Sequence, residues 1–106
     1  MTTTEQTPSQ YDVVFMTTKF SSLDEAQQKA PTQMSTHLER SQEFHVAGAL
    51  LMAGAFLDQP EEPVCTMAVL ATRAAAEDYA RGDPFVQAKA DQVDEWAIRE
   101  WANMLT

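Results

Sequence analysis

Gln92-Val93-Asp94-Glu95-Trp96-Ala97-Ile98-Arg99-Glu100-Trp101-Ala102-Asn103-Met104-Leu105 is the stretch on which the architecture turns. Val93, Ala97 and Trp101 recur at helical spacing, whereas Trp96, Ile98 and Glu100 alternate as on a strand. Locally the two periods balance, so the elements upstream have to break the tie.

Immediately before it, Arg73-Ala74-Ala75-Ala76-Glu77-Asp78-Tyr79-Ala80-Arg81 is a helix by propensity, with Thr72 as N-cap and Gly82 as its C-terminal stop. Asp83-Pro84 then breaks the chain, because the residue before a proline avoids helical geometry. Cys65 to Thr72 reads as a strand, preceded by an acidic turn from Asp58 to Pro63. Ala49 to Phe56 is apolar throughout and bounded by Gly48 and Asp58, which predicts a short strand covered on both faces. Thr32 to about Val46 is a helix entered through Pro31, with Met34, His37, Leu38, Ser41 and Phe44 on the side turned to the sheet and Gly48 as its stop. Leu23 to Ala30 is a shorter helix, opened by Ser22 and Glu25 at capping-box spacing. Tyr11 to Thr18, rich in β-branched and aromatic residues, is the first strand. The order is strand, helix, strand, strand, helix, and a sandwich with one helical layer needs a fourth strand to close it. The final stretch is therefore expected to be that strand, and the fold α+β.

Residues 1–10, polar and rich in threonine and glutamine, read as a flexible tail, leaving 11–106 as one domain. A chain of 106 residues buries only roughly 60–70% of its unfolded surface, so pairing with a second copy would help it. Sixteen acidic residues against seven basic ones give a net charge of −9, which argues against nucleic-acid and anionic-membrane partners. The opening residues lack the basic and apolar regions of a signal peptide, and no apolar run approaches the ~20 residues that span a bilayer. A cytoplasmic location is expected. Cys65 is the only cysteine, and no Cys/His cluster has metal-ligand spacing, so no metal is expected.

Few residues stand out as chemistry. A partly desolvated imidazole at His37 is a usable base near neutral pH; a hydrogen-bonded core histidine is the simpler reading of the residues alone. Asp83, fixed between a glycine and a proline, could orient an imidazole by accepting from its ring N–H, although the residues alone favour local turn chemistry. Lys89 is an isolated cation that could bind an anionic oxygen, or a solvated surface lysine. His45 points about 80° away from His37 around the helix and is expected to meet free carbonyls at the helix end. Cys65 and the methionines Met16, Met52 and Met67 are expected in strands, where thioethers either fill the core or line an aromatic-binding pocket. Trp96 and Trp101 read as packing or a dimer surface.

His37-Leu38, then Gly48-Ala49-Leu50-Leu51-Met52-Ala53-Gly54, an alanine-rich helix with Tyr79, Asp83-Pro84-Phe85-Val86 and a hydrophobic last strand follow one another in this order. From about residue 11 to 104 the chain resembles the YCII-like family. The resemblance implies a ferredoxin-like βαββαβ fold, two subunits pairing their sheets into a dimeric α/β barrel, and a pocket where the family's His/Asp pair matches His37 and Asp83. The chain departs from the family pattern at Ala55, where proline is frequent, and at Lys89, where glycine is frequent.

That family resembles muconolactone isomerases in architecture and includes a dehydrochlorinase of chlorinated hydroxyhydroquinones. The function this implies is a cofactor-independent lyase, or a related isomerase, acting by proton transfer and elimination on a small hydroxylated aromatic ring in aromatic-compound breakdown. His37 would be its base, Asp83 its orienting partner and Lys89 the holder of the oxyanion, with Met16 and Met52 on the ring's apolar face. A homodimeric small-molecule-binding or accessory domain is the alternative, and a cofactor-free oxygenase of the related barrel type a third.

Overall fold

The computed structural model describes residues 9–88 and 93–105. The elements run β1 (Ser9–Thr18), α1 (Leu23–Lys29), α2 (Pro31–Val46), β2 (Leu50–Ala55), β3 (Cys65–Leu70), α3 (Arg73–Gly82), α4 (Pro84–Gln87) and β4 (Val93–Asn103). The final stretch is a strand, as the topology requires. It pairs antiparallel with β1 from Ser9–Asn103 to Thr18–Val93, so its alternation serves two faces while the ladder satisfies its backbone groups. All neighbours in the sheet, ordered β2-β3-β1-β4, are antiparallel, and the βαββαβ order is ferredoxin-like. The first strand begins at Ser9: Ser9 and Gln10, expected in the tail, pair with Asn103 and Ala102. The remainder of that expected tail lies outside the described residues.

Local signals act where they are read. Ser22 Oγ accepts from the Glu25 N–H at 3.0 Å, while the Glu25 carboxylate reaches back one residue further than a capping box, to the Ser21 N–H at 2.8 Å. Thr72 Oγ1 caps α3 by accepting from Ala75 N–H at 3.0 Å. Pro31 opens α2, and Gly48 follows it in the left-handed region at φ 82°. Gly82 works differently from the expected left-handed stop. Its φ is not positive, and a Cβ there would meet the Arg40 guanidinium at 2.6 Å, so the glycine makes room for a side chain. Asp83 ends α3 and at once caps α4, a one-turn helix that the sequence reading treated only as a break.

All the helices pack on one face. Val14, Met16, Leu50, Ala68 and Leu70 of the sheet meet Ala76, Tyr79 and Ala80 of α3, and Phe20, Ala26, Ala30, Phe85 and Val93 form a second cluster. Val86 and Trp96 join the two. Val13, Phe15, Met52 and Val69 belong to neither cluster. Trp96 and Trp101 divide between the faces: Trp96 packs with the helices, and Trp101, across from Tyr11, is 51% exposed.

The strand β2 departs from its expectation. It lies at the sheet edge, and Met52 is 63% exposed, so it is not covered on both faces. The helices cover one face only, and a register shift between Leu50 and Met52 decides which residues turn towards them. One extra residue reverses the alternation, so Ala53 and Ala55 take the places that Met52 and Gly54 would otherwise hold.

Candidate functional site

No residue of α2 is buried, because a cleft separates much of this helix from the sheet. The cleft encloses about 560 Å³, within the roughly 300–1,000 Å³ usual for small-molecule sites. Its floor is Val14, Met16, Thr66, Ala68, Ala53 and Ala55; Met34, His37, Leu38 and Ser41 of α2 overhang it, with Phe85 and Tyr79 alongside. The lining is apolar except at a few points. Leu38, expected to face the sheet, does line the cleft, yet is 59% exposed.

His37 and Asp83 meet. Nδ1 of His37 and Oδ1 of Asp83 are hydrogen-bonded across a sequence separation of 46 residues. A carboxylate only accepts, so Nδ1 carries the hydrogen, and Nε2 has no partner among the described residues. Asp83 is 0% exposed, and its other oxygen accepts from the Phe85 N–H at 2.9 Å. Both oxygens are therefore engaged, one by the helix cap and one by the imidazole, which fixes the carboxylate's direction. The His37 ring lies 5.6 Å from the Phe85 ring and 6.4 Å from that of Tyr79, so aromatic edges hold it laterally.

Tyr79 is buried, and burial pushes its phenol above the ordinary tyrosine value. The Asp83 charge adds to the rise, while the Ser41 hydrogen bond and the Arg40 charge oppose it. Arg40 donates to the Asp78 and Tyr79 carbonyls at 3.2 Å each and stands 5.1 Å over the Phe44 ring. It thereby ties α2 to the C-terminal half of α3, four to five residues before Asp83.

Of the residues singled out from the sequence, Met16 lines the cleft together with His37. Met52 does not: the bulge at Leu51 turns it to the opposite face. Lys89 lies outside the described residues. Cys65 is a half-buried strand residue, with the Thr17 hydroxyl 4.0 Å from its sulfur. His45 bonds the Leu50 carbonyl of β2 at 2.8 Å rather than a carbonyl of its own helix. Among the described residues no group of three His, Cys, Asp or Glu side chains could hold a metal ion, and no helix is long and apolar enough to cross a membrane.

The polar pair that the sequence reading passed over is Ser41 with Tyr79, whose oxygens are 2.8 Å apart. Its signal was available. Ser41 follows His37 by four residues on one helix face, and Tyr79 precedes Asp83 by four, so the two pairs are stacked one turn apart.

The family model described as YCII-related domain matches residues 12–102. Among solved structures, the chain is similar to an inferred antibiotic biosynthesis monooxygenase from Bacteriodes thetaiotaomicron, with a TM-score of 0.55 and 12% identity over 92% of this chain and 91% of that one. It is also similar to a protein from Shewanella oneidensis, with a TM-score of 0.52 and 9% identity over 91% of each chain. At such identities these two likenesses establish the fold alone. No curated protein matches the sequence significantly.

Proposed function

The chain belongs to the YCII-related family, whose model spans residues 12–102, and from that premise we propose that it is a small enzyme of proton transfer and elimination. The observation that carries this reading is the hydrogen bond from His37 to a fully buried Asp83, which leaves Nε2 beside an apolar cleft. Asp83 keeps the hydrogen on Nδ1 and balances the positive charge that the ring acquires when Nε2 takes a proton. The substrate class that suits the lining is a small hydroxylated aromatic ring, with Met16 against its apolar face. On a chlorinated hydroxyhydroquinone the reaction is loss of HCl. His37 takes a hydroxyl proton, the chlorine-bearing carbon gains one as the ring ketonises, and loss of a second hydroxyl proton expels chloride with the C–Cl electron pair. The ring leaves as a quinone. Its oxidation is balanced by reduction of the C–Cl bond, so this reading requires no external oxidant and no cofactor.

Chloride release from chlorinated hydroxyhydroquinones tests it. Wild-type protein is expected to release chloride, and His37→Ala to lose about 10²–10⁴-fold in rate while remaining folded. Full turnover by that variant would overturn the reading.

A non-catalytic binding domain is the second reading, favoured by one observation: the His37–Asp83 bond also ties α2 to the α3–α4 junction, a structural service in itself. Saturable binding of hydroxylated aromatics without chloride release would select it.

Homodimerisation belongs to the same proposal. Its support is the sheet face carrying Phe15, Met52 and Trp101, which the helices leave unpacked. A second copy laid on this face would complete a barrel. Met52→Lys is expected to shift sedimentation from dimer to monomer, and an unchanged dimer would remove this part of the proposal.

A further inference from the structure

Ser41 continues the His37 side of α2 by one turn and shares a hydrogen bond with Tyr79. Donor counting decides its direction. Tyr79 is buried, and among the described residues Ser41 is the only partner of its hydroxyl. A buried O–H is nearly always donated. Tyr79 therefore donates, Ser41 accepts, and the hydrogen of Ser41 itself has no partner among the described residues. Ser41 is only half-buried and lines the cleft, so that hydrogen is available to an occupant. A tyrosine phenol is protonated at neutral pH, so Tyr79 remains a donor there, and a hydroxyl that accepts one hydrogen bond donates the next more strongly.

Geometry limits what the hydroxyl can meet. Side chains at i and i+4 leave a helix with Cβ atoms about 5–6 Å apart. Hydrogen bonds of roughly 3 Å from each can then reach two atoms of one small molecule, and oxygens on adjacent ring carbons lie within that reach.

We propose that Ser41, backed by Tyr79, is the oxygen-recognition residue of the cleft, and that its ligand is a vicinally oxygenated small ring, one oxygen facing His37 and its neighbour facing Ser41. This rests on the acid–base reading of His37 and names the substrate class for the same site. It gives an oxyanion-stabilising part to a neutral hydroxyl. A neutral donor suits an apolar cleft, since it stabilises a developing oxyanion without a permanent charge that must be desolvated. Tyr79 acts only through Ser41 and is a positioning residue.

The test compares binding of 4-nitrocatechol, which has two adjacent hydroxyls, with 4-nitrophenol, which has one; both change absorbance on ionisation. Wild-type protein is expected to bind the catechol about three- to tenfold more tightly. Ser41→Ala, a substitution that favours helix, is expected to erase that preference and leave phenol binding unchanged. Tyr79→Phe is expected to reduce the preference in the wild-type background and to do nothing further once Ser41 is alanine. A preference retained by Ser41→Ala, absent from the wild type, or lowered equally by Tyr79→Phe in both backgrounds overturns the proposal. His37→Gln separates it from the acid–base reading. If that variant alone loses ionisation of the bound ligand while Ser41→Ala changes nothing, His37 stands as the base and Ser41 falls. If His37→Gln ionises the ligand as well as wild type does, the acid–base reading falls and the catechol preference still judges Ser41.

Discussion

His37 and His45 stand eight residues apart on one helix, each with Nδ1 engaged in a hydrogen bond, yet their surroundings separate them completely. His37 is joined to a buried carboxylate from the α3–α4 junction and flanked by the rings of Phe85 and Tyr79 beside the cleft. His45 is exposed and joined to the Leu50 carbonyl at 2.8 Å, beside the bulge of β2. A carboxylate can balance a positive imidazole, whereas a carbonyl carries only a dipole. Identical side chains on the same helix are thus equipped for different work. On the reading proposed above, the first is a base whose Nε2 lies beside the cleft; the second pins the start of an edge strand.

The contrast can be broken most severely at His37. His37→Ala is expected to lose the 10²–10⁴-fold in chloride-release rate proposed above, about the usual contribution of a positioned base, and to lower the melting temperature as well, because it leaves one oxygen of the buried Asp83 without its partner. His45→Ala should leave the rate within about twofold in the same assay. Equal losses from the two variants would abolish the distinction.

Next in size is Asp83. Asp83→Ala removes the cap of α4 and strands two donors, the Phe85 N–H and the His37 ring, so about 2–4 kcal/mol of stability should be lost in chemical denaturation. Asp83→Asn can still accept from Phe85 and should recover part of that stability. It presents a neutral partner to His37, so its rate should stay low.

His45→Ala is expected to cost about 0.5–1.5 kcal/mol, the range for one lost hydrogen bond. Hydrogen exchange would sharpen this further. Faster exchange should concentrate around Ala49 to Met52, where the His45 bond meets the bulge.

The smallest effect concerns pH. An unfolded tyrosine ionises near pH 10, and the folded Tyr79 phenol ionises above that value because it is buried. Its contribution is therefore complete below about pH 10 and is lost as pH rises through that value towards the folded pKa. Tyr79→Phe should flatten this part of the alkaline stability profile, and an unchanged slope would count against it.

Elements whose causes lie within a few residues were legible from the chain. Ser22 and Thr72 cap helices through hydrogen bonds to residues three positions on, Pro31 opens α2, and Gly48 closes it. The final strand was locally balanced and came from topology, since a one-layer α+β sandwich had a vacancy for it. For His37 and Asp83 the residues alone left bland readings open, and only the family resemblance implied a pair. Met52, Gly82 and Ser41 show where local reasoning stops. A one-residue bulge reverses every side chain beyond it, a glycine is needed for an arginine 42 positions away, and a serine shares a hydrogen bond with a tyrosine on another helix.

Taken by itself, the sequence determined the α+β class, the caps and turns, and the acidic balance that disfavours nucleic acid, because propensity, capping and net charge are properties of near neighbours or of composition. The tertiary structure alone decided which side of β2 faces the cleft and that Asp83 is wholly buried with both oxygens engaged. Each of these depends on groups dozens of residues apart reaching hydrogen-bond distance. No periodicity or local spacing encodes that, because it is set by how the layers pack.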